Sequence, residues 1–114
     1  EPLPLIIVGG ETTAGARLAA RIGDGWTAFE ETFARDEPMF REALAEAGRA
    51  RAALTAIVGF QAGRAGEDAL RGSRWIAAPG EEMARWRELG ADGAIVTART
   101  TADVDALLDA RSRW

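Results

Sequence analysis

The sequence predicts an α/β fold of four βα units on a parallel sheet, which either stands alone as a small open sheet or is half of an eight-stranded (β/α)8 TIM-type barrel. Three observations predict it. Short apolar runs alternate with amphipathic stretches in the order βαβαβαβα. The first run, Leu5-Ile6-Ile7-Val8, is continuous rather than alternating, as in a strand buried on both faces of a parallel sheet. Two helix-to-strand joins use the same pair, Asp24-Gly25 and Asp92-Gly93, the tight connection a βα repeat needs. Asp-Gly is also a common turn pair, so the echo alone does not require a duplication.

Each element follows from its residues. Strand 5–8 runs into Gly9-Gly10, and residues 13–22 form a helix with Ala14, Leu18, Ala19 and Ile22 on its apolar face. Gly23 stops it as a left-handed cap. Gly25 to Phe29 is a second strand. A helix over 31–48 buries Phe33, Phe40, Ala43, Leu44 and Ala47, with Pro38 at a break or first turn and Gly48 as the stop. Ala53 to Phe60 is the third strand, and the Gly-rich, charged "QAGRAGEDALRGSR" is a loop. Pro79 opens a helix to Leu89 that buries Met83, Trp86 and Leu89, with Glu81 and Glu82 at its positive end. Gly93 to Val96 is the fourth strand. Thr100 or Thr101 caps a last helix whose Val104, Leu107 and Leu108 face inward.

Composition narrows the function. The 114 residues suit one domain or a piece of one, here a single incomplete segment, 1–114. The chain begins at Glu1, so it is expected to be processed, trimmed or cut from something longer. A net charge of −4 argues against nucleic acid held through its phosphates. No apolar run approaches the ~20 residues of a membrane span, and no secretory pattern opens the chain. A cytoplasmic location without membrane contact is the expectation. The chain has no Cys and no His, so no thiolate or imidazole nucleophile, base or metal ligand comes from it, and no metal site is expected. All 14 basic residues are Arg, which reads as coding bias, although each can fork onto a phosphate.

The candidate site residues follow strand ends. Gly9, Gly10, Glu11, Thr12 and Thr13 end the first strand and open a helix. Glycines let a ligand approach the backbone, and the helix start offers unpaired N–H groups to an anion. The same residues also make an ordinary βα turn with a Thr cap. The pattern is neither a P-loop nor G-x-G-x-x-G. Trp26, Thr27, Phe29 and Glu30 end the second strand, where an aromatic side chain either walls a flat cofactor or packs the barrel end. Gln61 and Arg64 follow the third strand, and Thr97 and Arg99 the fourth; each Arg is either an anion contact or a solvated charge. Glu30-Glu31 and Glu81-Glu82 are poor acid/base dyads, because adjacent helical residues point apart. Trp75, Trp86 and Trp114 read as packing residues.

"PLPLIIVGGETTAGARLAARIGDGW" resembles the luciferase-like monooxygenase family of flavin- and F420-dependent oxidoreductases. Members carry a Pro-rich lead, an apolar strand, a Gly-Gly pair, an Ala/Arg helix and "GDGW". "APGEEMARWRELGADGAIV" is similar to that family's last helix-strand unit, although Ala78-Pro79-Gly80-Glu81-Glu82 departs from its G-x-P-E-E order. The likeness covers nearly the whole chain and is weakest over 61–76. It implies strands five to eight of a (β/α)8 barrel, and a cofactor, F420 or FMN, whose phosphate meets Gly9, Gly10, Glu11, Thr12 and Thr13, chiefly through backbone amides. The Arg-only composition and "GDGW" lean toward F420. It also implies a small-molecule substrate, and catalytic residues in an N-terminal half-barrel absent from this chain. The segment alone is then inactive, and its open edges predict self-association into a homo-oligomer. Two alternatives remain: a phosphate-binding barrel isomerase or synthase, and a non-enzymatic α/β interaction domain.

Overall fold

Wherever an apolar run meets Gly or Asp-Gly, the chain changes direction, and the elements follow that punctuation. The computed structural model describes residues 4–9, 12–61, 66 and 68–114. The elements are β1 (Ile7–Gly9), α1 (Thr13–Ile22), β2 (Gly25–Phe29), α2 (Glu30–Glu46), β3 (Thr55–Phe60), α3 (Arg74–Ala77), α4 (Pro79–Glu88), β4 (Gly93–Val96) and α5 (Thr101–Ala110). Short 3-10 turns cover Arg51–Ala53 and Arg111–Arg113.

The strands are all parallel and lie in the order β1-β2-β3-β4. Each therefore pairs with its neighbour in sequence. Right-handed crossovers that all turn the same way put the intervening helices on one face. The strand residues alternate accordingly. Val8, Trp26 and Ala56 share one row, and Ala28, Val58 and Ala94 the next. These rows meet the helices, and Trp26, Ala28, Ala56 and Val58 are buried there. Trp26 stacks on Phe33 and Phe40 of α2, with ring centroids 4.9 Å apart in each pair. The opposite sheet face carries Ile7, Thr27, Phe29, Ile57 and Ile95 and has no layer over it among the described residues. Gly59 lies close under Phe29 on that face, where a Cβ would stand 3.2 Å from the ring and the ring would have to shift slightly.

Several sequence expectations are corrected. β1 begins at Ile7 rather than Leu5, and it is an edge strand, so Leu5, Ile6 and Ile7 are exposed rather than buried on both faces. α1 buries Ala16, Ala19 and Ala20, while Ala14, Leu18 and Ile22 face solvent. Alanines let this helix approach the sheet and α2 closely, and the larger residues are left outside. Gly23 is extended (φ −86°), so it is no left-handed cap; a Cβ there would meet the Ala19 carbonyl at 2.9 Å. α2 runs unbroken through Pro38. It ends at Glu46 with Ala47 exposed, and Gly48 at φ +70° turns the chain.

β3 starts at Thr55, after the 3-10 turn. The expected loop over 61–74 ends in α3, whose Trp75 is buried. Leu89 is partly exposed beyond the end of α4. In α5, capped by Thr100, Asp103 and Ala110 are buried while Val104 and Leu108 are exposed and Leu107 is half-buried. Trp114 is exposed and does not pack.

Candidate functional site

Parallel strands end together, so the C-terminal ends of β1 to β4 form one rim. Gly9 stands at its β1 corner, opposite Thr27, whose Cγ2 lies 3.4 Å from where a Gly9 Cβ would be. Gly10 and Glu11 lie outside the described residues. Thr12 is the N-cap of α1, with its hydroxyl accepting the Gly15 N–H at 3.1 Å. The Thr12 carbonyl accepts the Ala16 N–H at 3.2 Å. The N–H groups of Thr13 and Ala14, in the first turn, have no acceptor within the helix. Of the expected loop residues, Gly9, Thr12 and Thr13 are described, and the Thr13 amide lies at the rim beside that of Ala14, which was not among them. The two amides are a donor pair at a helix start, which favours an anion.

The β2 end divides its four candidates. Trp26 lies wholly within the helix layer, which removes it as a cofactor wall. Thr27 and Phe29 turn to the bare sheet face. Glu30 starts α2 and accepts the Trp75 Nε1–H at 3.1 Å. Burial raises the Glu30 carboxyl above its ordinary range, against the opposing effect of the Trp75 hydrogen bond. Nearby Glu82 adds to the rise, and Arg85 works against it. Glu82 is buried and paired with Arg74 at 3.1 Å and Arg85 at 2.6 Å. The two Glu-Glu pairs thus each sink one carboxylate into a shared polar cluster between α2, α3 and α4, where the sequence suggested helix-start electrostatics for Glu81-Glu82 alone. The 45-residue separation of Glu30 and Trp75 has no local signature, so sequence reasoning missed it.

Beyond β3, Gln61 is exposed and Arg64 lies outside the described residues. Beyond β4, Thr97 and Arg99 are exposed on the rim. The Arg99 N–H donates to Asp103 Oδ2 at 3.0 Å, and the Thr100 hydroxyl accepts the Asp103 N–H at 3.1 Å. This reciprocal cap holds the Asp103 carboxyl below its usual range, chiefly through the Arg99 N–H. Arg71 Nε stands 3.3 Å from the other Asp103 oxygen.

A groove of about 710 Å³ lies at the other end of the sheet, lined by residues such as Glu37, Arg41, Arg51 and Asp92. It therefore does not coincide with the rim. No group of three or more acidic side chains that would hold a metal occurs among the described residues. No described helix is long and apolar enough to cross a membrane. No family model matches the sequence, and no curated protein matches it.

Proposed function

We propose that this chain is the C-terminal half of a luciferase-like flavin- or F420-dependent oxidoreductase, holding the cofactor phosphate at the β1–α1 junction. One observation carries the reading. The strands follow one another in sequence order with their ends on a single rim, and at its β1 corner a helix start leaves the Thr13 and Ala14 amides open. In parallel barrels that rim is the functional face. The donors fit a phosphate: two amides and the Thr12 and Thr13 hydroxyls, with Glu11, which lies outside the described residues, required to offer its amide and turn its carboxylate away. When bound, the cofactor supplies the hydride or oxygen chemistry, which fits a segment with no His or Cys. The chain's own part is to bind and orient. The bare sheet face, with Phe29, Ile57 and Ile95, forms the apolar wall from which water is excluded once the barrel is complete.

The test uses a substitution that the local geometry tolerates. Thr13 is the first helical residue, where proline is accepted, and Thr12 is already extended (φ −121°, ψ 155°), as the residue before a proline should be. Thr13→Pro removes one open amide and keeps the helix. Fluorescence titration should show FMN or F420 binding more tightly than riboflavin, which lacks the phosphate, and Thr13→Pro should narrow that difference. Affinity no better than millimolar for either cofactor, about −4 kcal/mol, would sink the proposal. Binding of sugar phosphates in place of flavins would favour an isomerase or synthase.

A further inference from the structure

A tandem repeat runs through the sheet. Ile7-Val8-Gly9 of β1 recurs as Ile57-Val58-Gly59 of β3. Ile7 pairs with Gly25, and Ile57 pairs with Gly93. The Asp24 N–H donates to the Ile6 carbonyl at 2.6 Å, and its carboxylate accepts the Ile6 N–H at 2.8 Å. The Asp92 N–H donates to the Ala56 carbonyl at 2.7 Å, and its carboxylate accepts the Ala56 N–H at 2.8 Å. The β1–β2 and β3–β4 pairs are therefore equivalent. One seam joins them: Thr55 lies opposite Gly25 and gives its N–H to the Asp24 carbonyl at 3.2 Å.

The outer edge of β4 is that same seam half made. The strand it fits has the sequence and register of β3. The other open-edged strand, β1, is the repeat of β3. We infer that the β4 edge of one copy of this chain joins the β1 edge of a second, with Leu5 opposite Gly93 as Thr55 is opposite Gly25. Two such seams close a twofold dimer of eight parallel strands, a number at which side chains fill the interior of a closed sheet.

The exposed apolar surface agrees with these edges. Leu5, Ile6, Ile7, Leu18 and Ile22 lie along the β1–α1 edge, and Val104, Leu108 and Trp114 along the β4–α5 edge. Of the large apolar side chains exposed among the described residues, the rest are Leu89 and Ile95. Ile95 points to the face that closure would enclose. An apolar groove of about 540 Å³ between β4 and α5, lined by Ala94, Val96 and Leu107 among others, receives the α1 flank of the other copy. The seam stands on the sheet repeat alone, and it takes the same two edges that an N-terminal half-barrel would take, so one occupant excludes the other.

Sedimentation equilibrium of the 114-residue chain at micromolar concentration should give twice the mass of 12.1 kDa. Leu5→Pro deletes the N–H that the Asp92 carbonyl of the other copy is to accept, and Leu108→Glu charges the α5 flank; each should give a monomer with an unchanged far-ultraviolet spectrum. A register test does not depend on how those variants fold. The chain has no cysteine, and nothing lies within 4 Å of a Cβ at Gly93. The double variant Leu5→Cys, Gly93→Cys should oxidise to a covalent dimer, since residues opposite each other on paired strands, about 4.8 Å apart, are within disulfide reach. A monomeric parent chain overturns the inference, as does a dimer whose cysteines do not cross-link. A chain that stays monomeric and takes up only a separate half-barrel also overturns it, giving both edges to that partner.

Discussion

The carboxylate of Asp92 accepts the Ala56 N–H at 2.8 Å while the Asp92 N–H donates to the Ala56 carbonyl at 2.7 Å, so one residue closes both sides of a strand start. Arg51 joins them, with Nη2 at 2.9 Å from the same carboxylate oxygen and 2.7 Å from the Gly90 carbonyl. Asp92→Ala leaves the Ala56 N–H without its acceptor beside the buried start of β3. It should cost ~1–3 kcal/mol in urea unfolding at neutral pH. Asp24→Ala should cost less, because its partner Ile6 is exposed and water can replace the carboxylate.

Gly90 and Gly48 both have positive φ, +106° and +70°, but differ in surroundings. A Cβ at Gly90 would lie 2.8 Å from the Glu37 carboxyl carbon, whereas nothing stands within 4 Å at Gly48. Gly48→Ala should cost about 1 kcal/mol, the conformational penalty alone. Gly90→Ala should cost visibly more, because Glu37 is buried and ion-paired with Arg41 at 2.7 Å and must move. Denaturation midpoints in that order are the check; equal midpoints would refute the contact.

Pro38 sits inside α2 with its ring exposed. It has no N–H for the Ala34 carbonyl one turn back. Pro38→Ala should restore that bond and raise stability, by up to ~3 kcal/mol. Calorimetry on the two proteins would show the higher melting temperature in the variant.

Two carboxyls give opposite dependences on pH. Glu30 is raised above its ordinary 4.5 by burial, so the folded state holds its proton more tightly, and stability falls as pH rises from about that value through the raised pKa. Glu30→Gln keeps an acceptor for Trp75 and should flatten that fall, leaving the variant at least as stable at neutral pH. Asp103 is lowered below its ordinary 3.8, so its contribution is fully present above that value and is lost as pH falls through the lowered pKa. Asp103→Asn should remove part of the acid sensitivity. Unfolding free energies of the parent and both variants between acid and neutral pH separate the two effects.

What the sequence made legible was local. β2, β4 and α1 fall where Asp24-Gly25, Asp92-Gly93 and Thr12 place them, because turn and cap chemistry act over a few residues. Which side of a helix is buried was not local. Leu18 and Ile22 outrank Ala16 and Ala20 in hydrophobicity, yet the alanines are inside, because separation from the sheet and α2 decides the face. Val104 and Leu108 stand outward for another reason, because they flank the unpaired edge of β4. At the site, Gly9, Thr12 and Thr13 stand at one corner of the rim because a strand end and a capped helix start are local features. Trp26 was ambiguous because its neighbours Phe33 and Phe40 belong to the next helix. The bond between Glu30 and Trp75 was invisible because no pattern links residues so far apart.

The sequential order of strands also bears on how the chain is made. β2 hydrogen-bonds to β1, β3 to β2 and β4 to β3, so each strand leaves the ribosome after the strand it needs. Every pairing joins successive βα units, and loop-closure entropy never spans the whole chain. Within the described sheet, each of β2, β3 and β4 emerges with its preceding partner already translated.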